Sequence, residues 1–161
     1  MLVTMKEILD RAKKDNYGVT SIMVDRSSLS YEDNIAQTKE TVKMCRPLNI
    51  SVEAELGHVG QDEDYSSDGS DHFTKPEEAK KFVEETGIDC LAVAIGTAHG
   101  RYHGTPHIDF DLLKQITDVV DIPLVLHGGS GTCDENLRKA VKMVFRKSTL
   151  QQNLSLPGKK N

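Results

Sequence analysis

Hydrophobic positions along this chain change their period several times, and each change marks an element. In residues 4–15, TMKEILDRAKKD, Met5, Ile8, Leu9 and Ala12 recur at helical spacing, with Thr4 and Glu7 placed as a capping box, and Gly18 ends the run. The short apolar run SIMVD closes on Asp25. YEDNIAQTKETVKMC then returns to a helical period, with Ile35, Thr38, Val42 and Cys45 on one face and Pro47 and Asn49 as breakers. ISVEAEL reads as a strand ending at Gly57. Thr74 as N-cap, Pro76 in the first turn and Glu77 and Glu78 at the positive end of the dipole start a helix that Gly87 stops. CLAVAIG is a continuous apolar run of the kind buried on both faces, and PLVLHGG is a second. The helices DFDLLKQITDVV and DENLRKAVKM follow them.

Strand and helix therefore alternate four times, over 20–24 and 31–45, 50–55 and 75–86, 90–95 and 109–119, 122–126 and 134–143. Such βα units predict an α/β fold with a parallel sheet and helices outside it. Periodicity alone leaves open whether the sheet is doubly wound or a barrel segment. Four units are half of the eight in a TIM barrel of ~250 residues, and half a barrel exposes two sheet edges.

The glycine-, aspartate- and serine-rich stretch 57–74 has no period and is long for a loop, which leaves a functional lid and a solvated insertion both open. The polar residues of the other junctions carry more. Asp25 ends the first strand, Glu55 the second, His99 and Gly100 follow the third, and His127 with Gly128 and Gly129 ends the fourth. In parallel α/β folds these strand ends form one ligand-binding face. Two carboxylates and two histidines there suit zinc, although one such histidine can equally be a hydrogen-bonded structural group. The segment HGGSG, ahead of a helix, offers close backbone N–H groups and the Ser130 hydroxyl to an anion such as phosphate. His58, His72, His103 and His107 lie in loops away from the strand ends and read as surface histidines.

Composition narrows the class. The 161 residues are 37% hydrophobic and 28% charged, with a net charge of −5 and a pI near 5.7, as for one soluble domain. No basic run with interleaved aromatics points to nucleic acid. No apolar stretch reaches the ~20 residues of a membrane span, and the N-terminus lacks the apolar core of a signal peptide. Three dispersed cysteines without a CxxC fit a reducing cytoplasm.

The segments SIMVD, VEAELG, AVAIGTAHG and PLVLHGGSG, in this order, resemble the class II, zinc-dependent ketose-bisphosphate aldolases that cleave fructose- or tagatose-1,6-bisphosphate. The resemblance runs through residues 20–143, and Tyr17-Gly18-Val19 resembles the family's entry into its first strand. It implies a TIM barrel, commonly in an oligomer, and reversible aldol cleavage of a ketose 1,6-bisphosphate to dihydroxyacetone phosphate and an aldehyde phosphate. It implies Zn²⁺ on His99 and His127, with Asp25 and Glu55 near an alternative metal position. Gly100, Gly128 and Ser130 match groups that hold the substrate phosphate. Glu63 matches the acid that moves the carbon-bound proton, which makes the 57–74 loop a lid.

The departures from the family set a second expectation. In the family, further elements precede the SIMVD segment and end in a strand bearing an Asp-His pair, which supplies an acid/base group and the third zinc histidine. Here Val19 runs straight into Thr20, so the chain is expected to lack the Asp-His pair and the zinc site its third histidine ligand. After KAVKM the sequence VFRKSTLQQNLSLPGKKN lacks the family's phosphate-binding Asn/Asp/Thr segment. Residues 1–143 are thus expected to form an incomplete barrel domain and 144–161 a divergent, disordered tail. The alternative function is an inactive remnant that binds zinc or phosphate weakly, or associates with a full-length aldolase.

Overall fold

A computed structural model describes residues 7, 9–10, 18–59, 72–97, 107–129 and 132–154, with side chains up to residue 144 in the last helix. Its strands are β1 (Ser21–Val24), β2 (Ser51–Leu56), β3 (Cys90–Val93) and β4 (Leu124–Val125). Its helices are α1 (Tyr31–Cys45), α2 (Pro76–Thr86), α3 (Phe110–Val119) and α4 (Asp134–Leu154), with a short 3₁₀ turn at Arg46–Leu48. Each strand pairs in parallel with the next, in the order β1-β2-β3-β4. A doubly wound sheet reverses its strand order and carries helices on both faces. This sheet does neither. It is an α/β barrel segment, four βα units in sequence.

Register explains how the residues divide between the two faces. Val24, Ala54, Leu91 and Leu124 form one row, flanked by Ile22 with Val52 and by Leu56 with Val93. These β-branched and aliphatic side chains face the helices and make the core together with Ile35, Cys45, Phe82, Leu113 and Ile116. Helix α2 packs between α1 and α3, and α4 lies against α3. The Tyr31 ring stands 6.3 Å from that of Phe82, and the Tyr31 hydroxyl donates to the Glu78 carbonyl at 3.0 Å. The other face of the sheet holds the rows Ser21–Ser51, Met23–Glu53–Cys90 and Glu55–Ala92–Val125. In a closed barrel this face is the interior; here Met23 on it is 40% exposed.

Several junctions follow the expected chemistry. Asn49 (φ 56°) and Gly87 (φ 67°) take the left-handed conformation that ends a helix. Ser30 and Asp109 cap α1 and α3 by accepting from the backbone N–H groups of Asp33 and Leu112. Thr74 does not cap α2, contrary to expectation: Lys75 holds the N-cap position without a side-chain bond. The Thr74 hydroxyl donates to the Leu56 carbonyl and accepts from the Ala94 N–H at 2.8 Å, clamping the ends of β2 and β3 together. That buried hydroxyl satisfies two strand-end groups that have no ladder partner, which outweighs one helix N–H. Helix α4 runs to Leu154, so the boundary expected at 143/144 falls inside it. In the predicted first helix only Glu7, Leu9 and Asp10 are described, and Leu9 is buried in the core. No helix among the described residues is long and apolar enough to cross a membrane.

Candidate active site at the strand ends

Glu55 is the centre of the site. It closes β2 on the inner face and is 2% exposed. A carboxylate so deeply buried needs donors, and it has them. Its Oε1 accepts from the Ser27 hydroxyl and from the Val59 N–H, each at 3.1 Å, and its Oε2 lies 3.1 Å from His127 Nδ1. The backbone behind it is also held. Asn34, buried on α1, donates to the Glu55 carbonyl at 3.0 Å, and Thr38 one turn later donates to the Asn34 side-chain oxygen at 3.1 Å.

His127 enters from β4 and reaches across β3 to β2. Ala92 of β3 lies in the row of Glu55 and Val125, and His127 follows Val125 by two residues. The far nitrogen, Nε2, lies 2.9 Å from Glu53 Oε1, so one imidazole stands between two carboxylates of the same strand. The other oxygen of Glu53, Oε2, faces the Cys90 thiol at 3.8 Å. Burial first, and then the Glu53 charge, push the Cys90 thiol up to about 11.

Asp25 is exposed just past β1, and its Oδ1 accepts from the Ser27 N–H at 2.8 Å. Among the described residues it is tied to Glu55 through Ser27. Among the described residues, then, the structure brings Glu55 and His127 into direct contact, with Asp25 one residue removed. Gly128 follows His127 with φ 68°, a left-handed turn that suits glycine. Nearby, the buried Thr132 hydroxyl has no partner among the described residues. Glu63, His99, Gly100 and Ser130 lie outside the described residues, as does His103.

Three groups of this site did not come from reading the sequence. Glu53 was legible in principle, since it lies two residues before Glu55 and a strand puts both on one face. Ser27 carries no signal beyond its place two residues after Asp25. His58 corrects the surface reading: it is half-buried, with Nδ1 3.2 Å from Ser27 Oγ. Ser27 gives its proton to Glu55, so His58 Nδ1–H is the donor in that contact. The turn at Gly57 (φ 75°) precedes His58, whose backbone N–H donates to the His72 carbonyl at 3.0 Å. An Asp-His dipeptide does occur, Asp71-His72, but it lies between β2 and α2 and not at a strand end; His72 and His107 are exposed, as expected.

An imidazole and two carboxylates on one strand-end face are donors of the kind zinc takes, so the residues fit the ion in kind. They do not complete a coordination shell. Among the described residues no three such side chains are arranged to hold a metal ion.

Comparison with known proteins agrees with the architecture and the motifs. The family model for class-II fructose-bisphosphate aldolase matches residues 3–158. The uncharacterized protein YdjI of Escherichia coli K12 is 44% identical over 139 residues, 86% of this chain and 50% of that protein. The crystal structure of the YdjI aldolase superposes with a TM-score of 0.70 at 40% identity, over 88% of this chain and 47% of that one. A candidate fructose-1,6-bisphosphate aldolase from Coccidioides immitis gives 0.73 at 34% identity, over 94% and 59%. Fructose-bisphosphate aldolase from Campylobacter jejuni gives 0.65 at 26%, over 84% and 44%. The chain spans about half the length of the curated relative it matches. Its four βα units are therefore part of a TIM barrel, and the chain belongs to the class-II fructose-bisphosphate aldolase family, a family of lyases in carbohydrate metabolism.

Proposed function

We propose that this chain carries the strand-end half of a class II aldolase site. Its reaction is the reversible aldol cleavage of a ketose 1,6-bisphosphate, fructose or tagatose, to dihydroxyacetone phosphate and an aldehyde phosphate, in the cytoplasm. The observation that carries this reading is the contact of His127 with Glu55 at the mouth of a parallel sheet. His99 and His127 hold zinc, and the ion supplies Lewis-acid polarisation of the substrate ketone. Glu55 and Asp25 offer oxygen near an alternative metal position at the strand ends. Gly100, Gly128 and Ser130 hold a substrate phosphate through backbone N–H groups and a hydroxyl. Glu63, on the loop after β2, takes the carbon-bound proton.

One observation favours a second reading. The inner face that a closed barrel buries is open at Met23, Ser21 and Ser51 among the described residues. An open face of this kind suits a unit that takes up zinc or phosphate weakly and associates with a full-length aldolase or another copy of itself.

The deciding experiment is cleavage of both bisphosphates by the purified, monodisperse 161-residue protein, with added zinc and with a chelator control. Chelator-sensitive turnover that disappears in His99→Ala and His127→Ala supports the lyase. Zinc uptake without turnover, with capture of a full-length aldolase, supports the second reading. No zinc uptake by the folded protein sinks both.

A further inference from the structure

The two carboxylates that flank His127 are not equivalent, and strand direction tells them apart. Glu55 is the last inner-face residue of β2, at the C-terminal strand ends where ligands of parallel α/β folds bind. Glu53 stands one inner-face step deeper, in the row of Met23 and Cys90. The imidazole follows the same gradient. Nδ1, nearer its own backbone, meets Glu55, and Nε2, the far tip, meets Glu53. A ligand arriving at the strand ends comes to the Nδ1 side first.

Glu53 is built to stay where it is. Its Oε1 takes the ring and its Oε2 takes the Cys90 thiol from the neighbouring strand. The raised pKa of Cys90 keeps that group an S–H donor at neutral pH. A histidine that binds metal through one nitrogen commonly donates the other N–H to a carboxylate, which sets the tautomer and the ring direction.

We infer that Glu53 is a positioning residue for His127: by accepting the Nε2–H it leaves the Nδ1 lone pair for a metal ion at the strand ends, beside Glu55. This rests on the reading of His127 as a zinc ligand, and it assigns a role to a residue that reading leaves unused.

The test is zinc titration against a competing chelator, together with the ¹⁵N signals of the His127 ring, for the unaltered protein, Glu53→Ala and Glu53→Gln. Glu53→Ala weakens zinc binding about 10- to 100-fold and mixes the two ring tautomers. Glu53→Gln keeps a carbonyl oxygen for Nε2–H, so it restores most of the affinity and the original ring signals. Cys90→Ala, which removes only the second partner of Glu53, gives a smaller loss in the same direction and carries the test if Glu53→Ala does not fold. Unchanged affinity and ring signals in Glu53→Ala overturn the inference. So does a loss in Glu53→Gln as large as in Glu53→Ala, because the charge and not the hydrogen bond is then what matters. If the unaltered protein takes up no zinc while its Nε2–H is held and Glu53→Ala releases it, the zinc reading fails and the positioning role stands.

Discussion

Glu55 and His127, 72 positions apart in the sequence, meet at 3.1 Å between Oε2 and Nδ1. Two parallel pairings separate their strands, and both residues project to the same face. Everything proposed for the site depends on this contact and on what keeps Glu55 in place.

Removing the Glu55 carboxylate costs stability as well as any chemistry. Glu55→Ala strips an acceptor from the Ser27 hydroxyl and the Val59 N–H and a partner from His127. Buried groups left unpaired cost ~1–3 kcal/mol each, and partial rehydration of the space offsets part of that. The expected result is a urea midpoint clearly below that of the unaltered protein, with Ser27→Ala showing a smaller drop. Equal midpoints for Glu55→Ala and the unaltered protein would show that these bonds to Glu55 contribute nothing to stability.

Thr74 is a clamp and not a cap, and the two roles predict different numbers. Thr74→Val preserves shape while leaving the Leu56 carbonyl and the Ala94 N–H short of one partner. The loss is ~1–3 kcal/mol by denaturant unfolding, with hydrogen exchange speeding up at the ends of β2 and β3. An effect confined to the first turn of α2 would point back to capping.

Two glycines cannot accept a methyl group. A Cβ on Gly57 falls 2.7 Å from the His72 carbonyl oxygen, and one on Gly96 falls 2.1 Å from that of His107, both with positive φ. Gly57→Ala and Gly96→Ala each destabilise by more than the ~1 kcal/mol of an ordinary glycine replacement, because the backbone must move as well. Gly18→Ala meets nothing within 4 Å and is the neutral comparison. Thermal unfolding of the three variants side by side decides the matter.

The cysteines separate by reactivity and by pH. Cys133 is exposed and alkylates first; Cys45 is buried, and burial raises its pKa. Cys90 is held up to about 11 against an ordinary 9.0, so its thiolate is disfavoured in the folded chain. A raised folded pKa means that its contribution to stability is complete below pH 9.0 and fades as pH rises toward about 11. Cys90→Ala should flatten the fall in stability across that alkaline window. An unchanged slope would show that the thiol does not titrate there.

The alternation of four βα units was legible because each strand here is a short run with apolar residues toward the helices and each helix is amphipathic, bounded by Asn49, Gly87 or a capping side chain. Those signals are local, set by backbone propensity and by which positions must be apolar. The sequence could not choose between a doubly wound and a barrel arrangement, since both use the same βα unit. Parallel pairing of each strand with the next made the choice. Thr74 departs from its expected capping role for a related reason. Its place before Pro76 suits a cap, and only the approach of two distant strand ends gives its hydroxyl better partners.

The site divides the same way. The sequence by itself determined the family, through SIMVD, VEAELG, TAHG and LHGGSG, and it determined that Glu55 and His127 stand at strand ends, because strand length and direction are local properties. Only the tertiary structure decided that Glu53 and Glu55 share one imidazole, that Ser27 bridges Glu55 to His58, and that Cys90 backs Glu53. These contacts join residues 28 to 74 positions apart, and their distances follow from sheet register and side-chain packing, which no local pattern encodes.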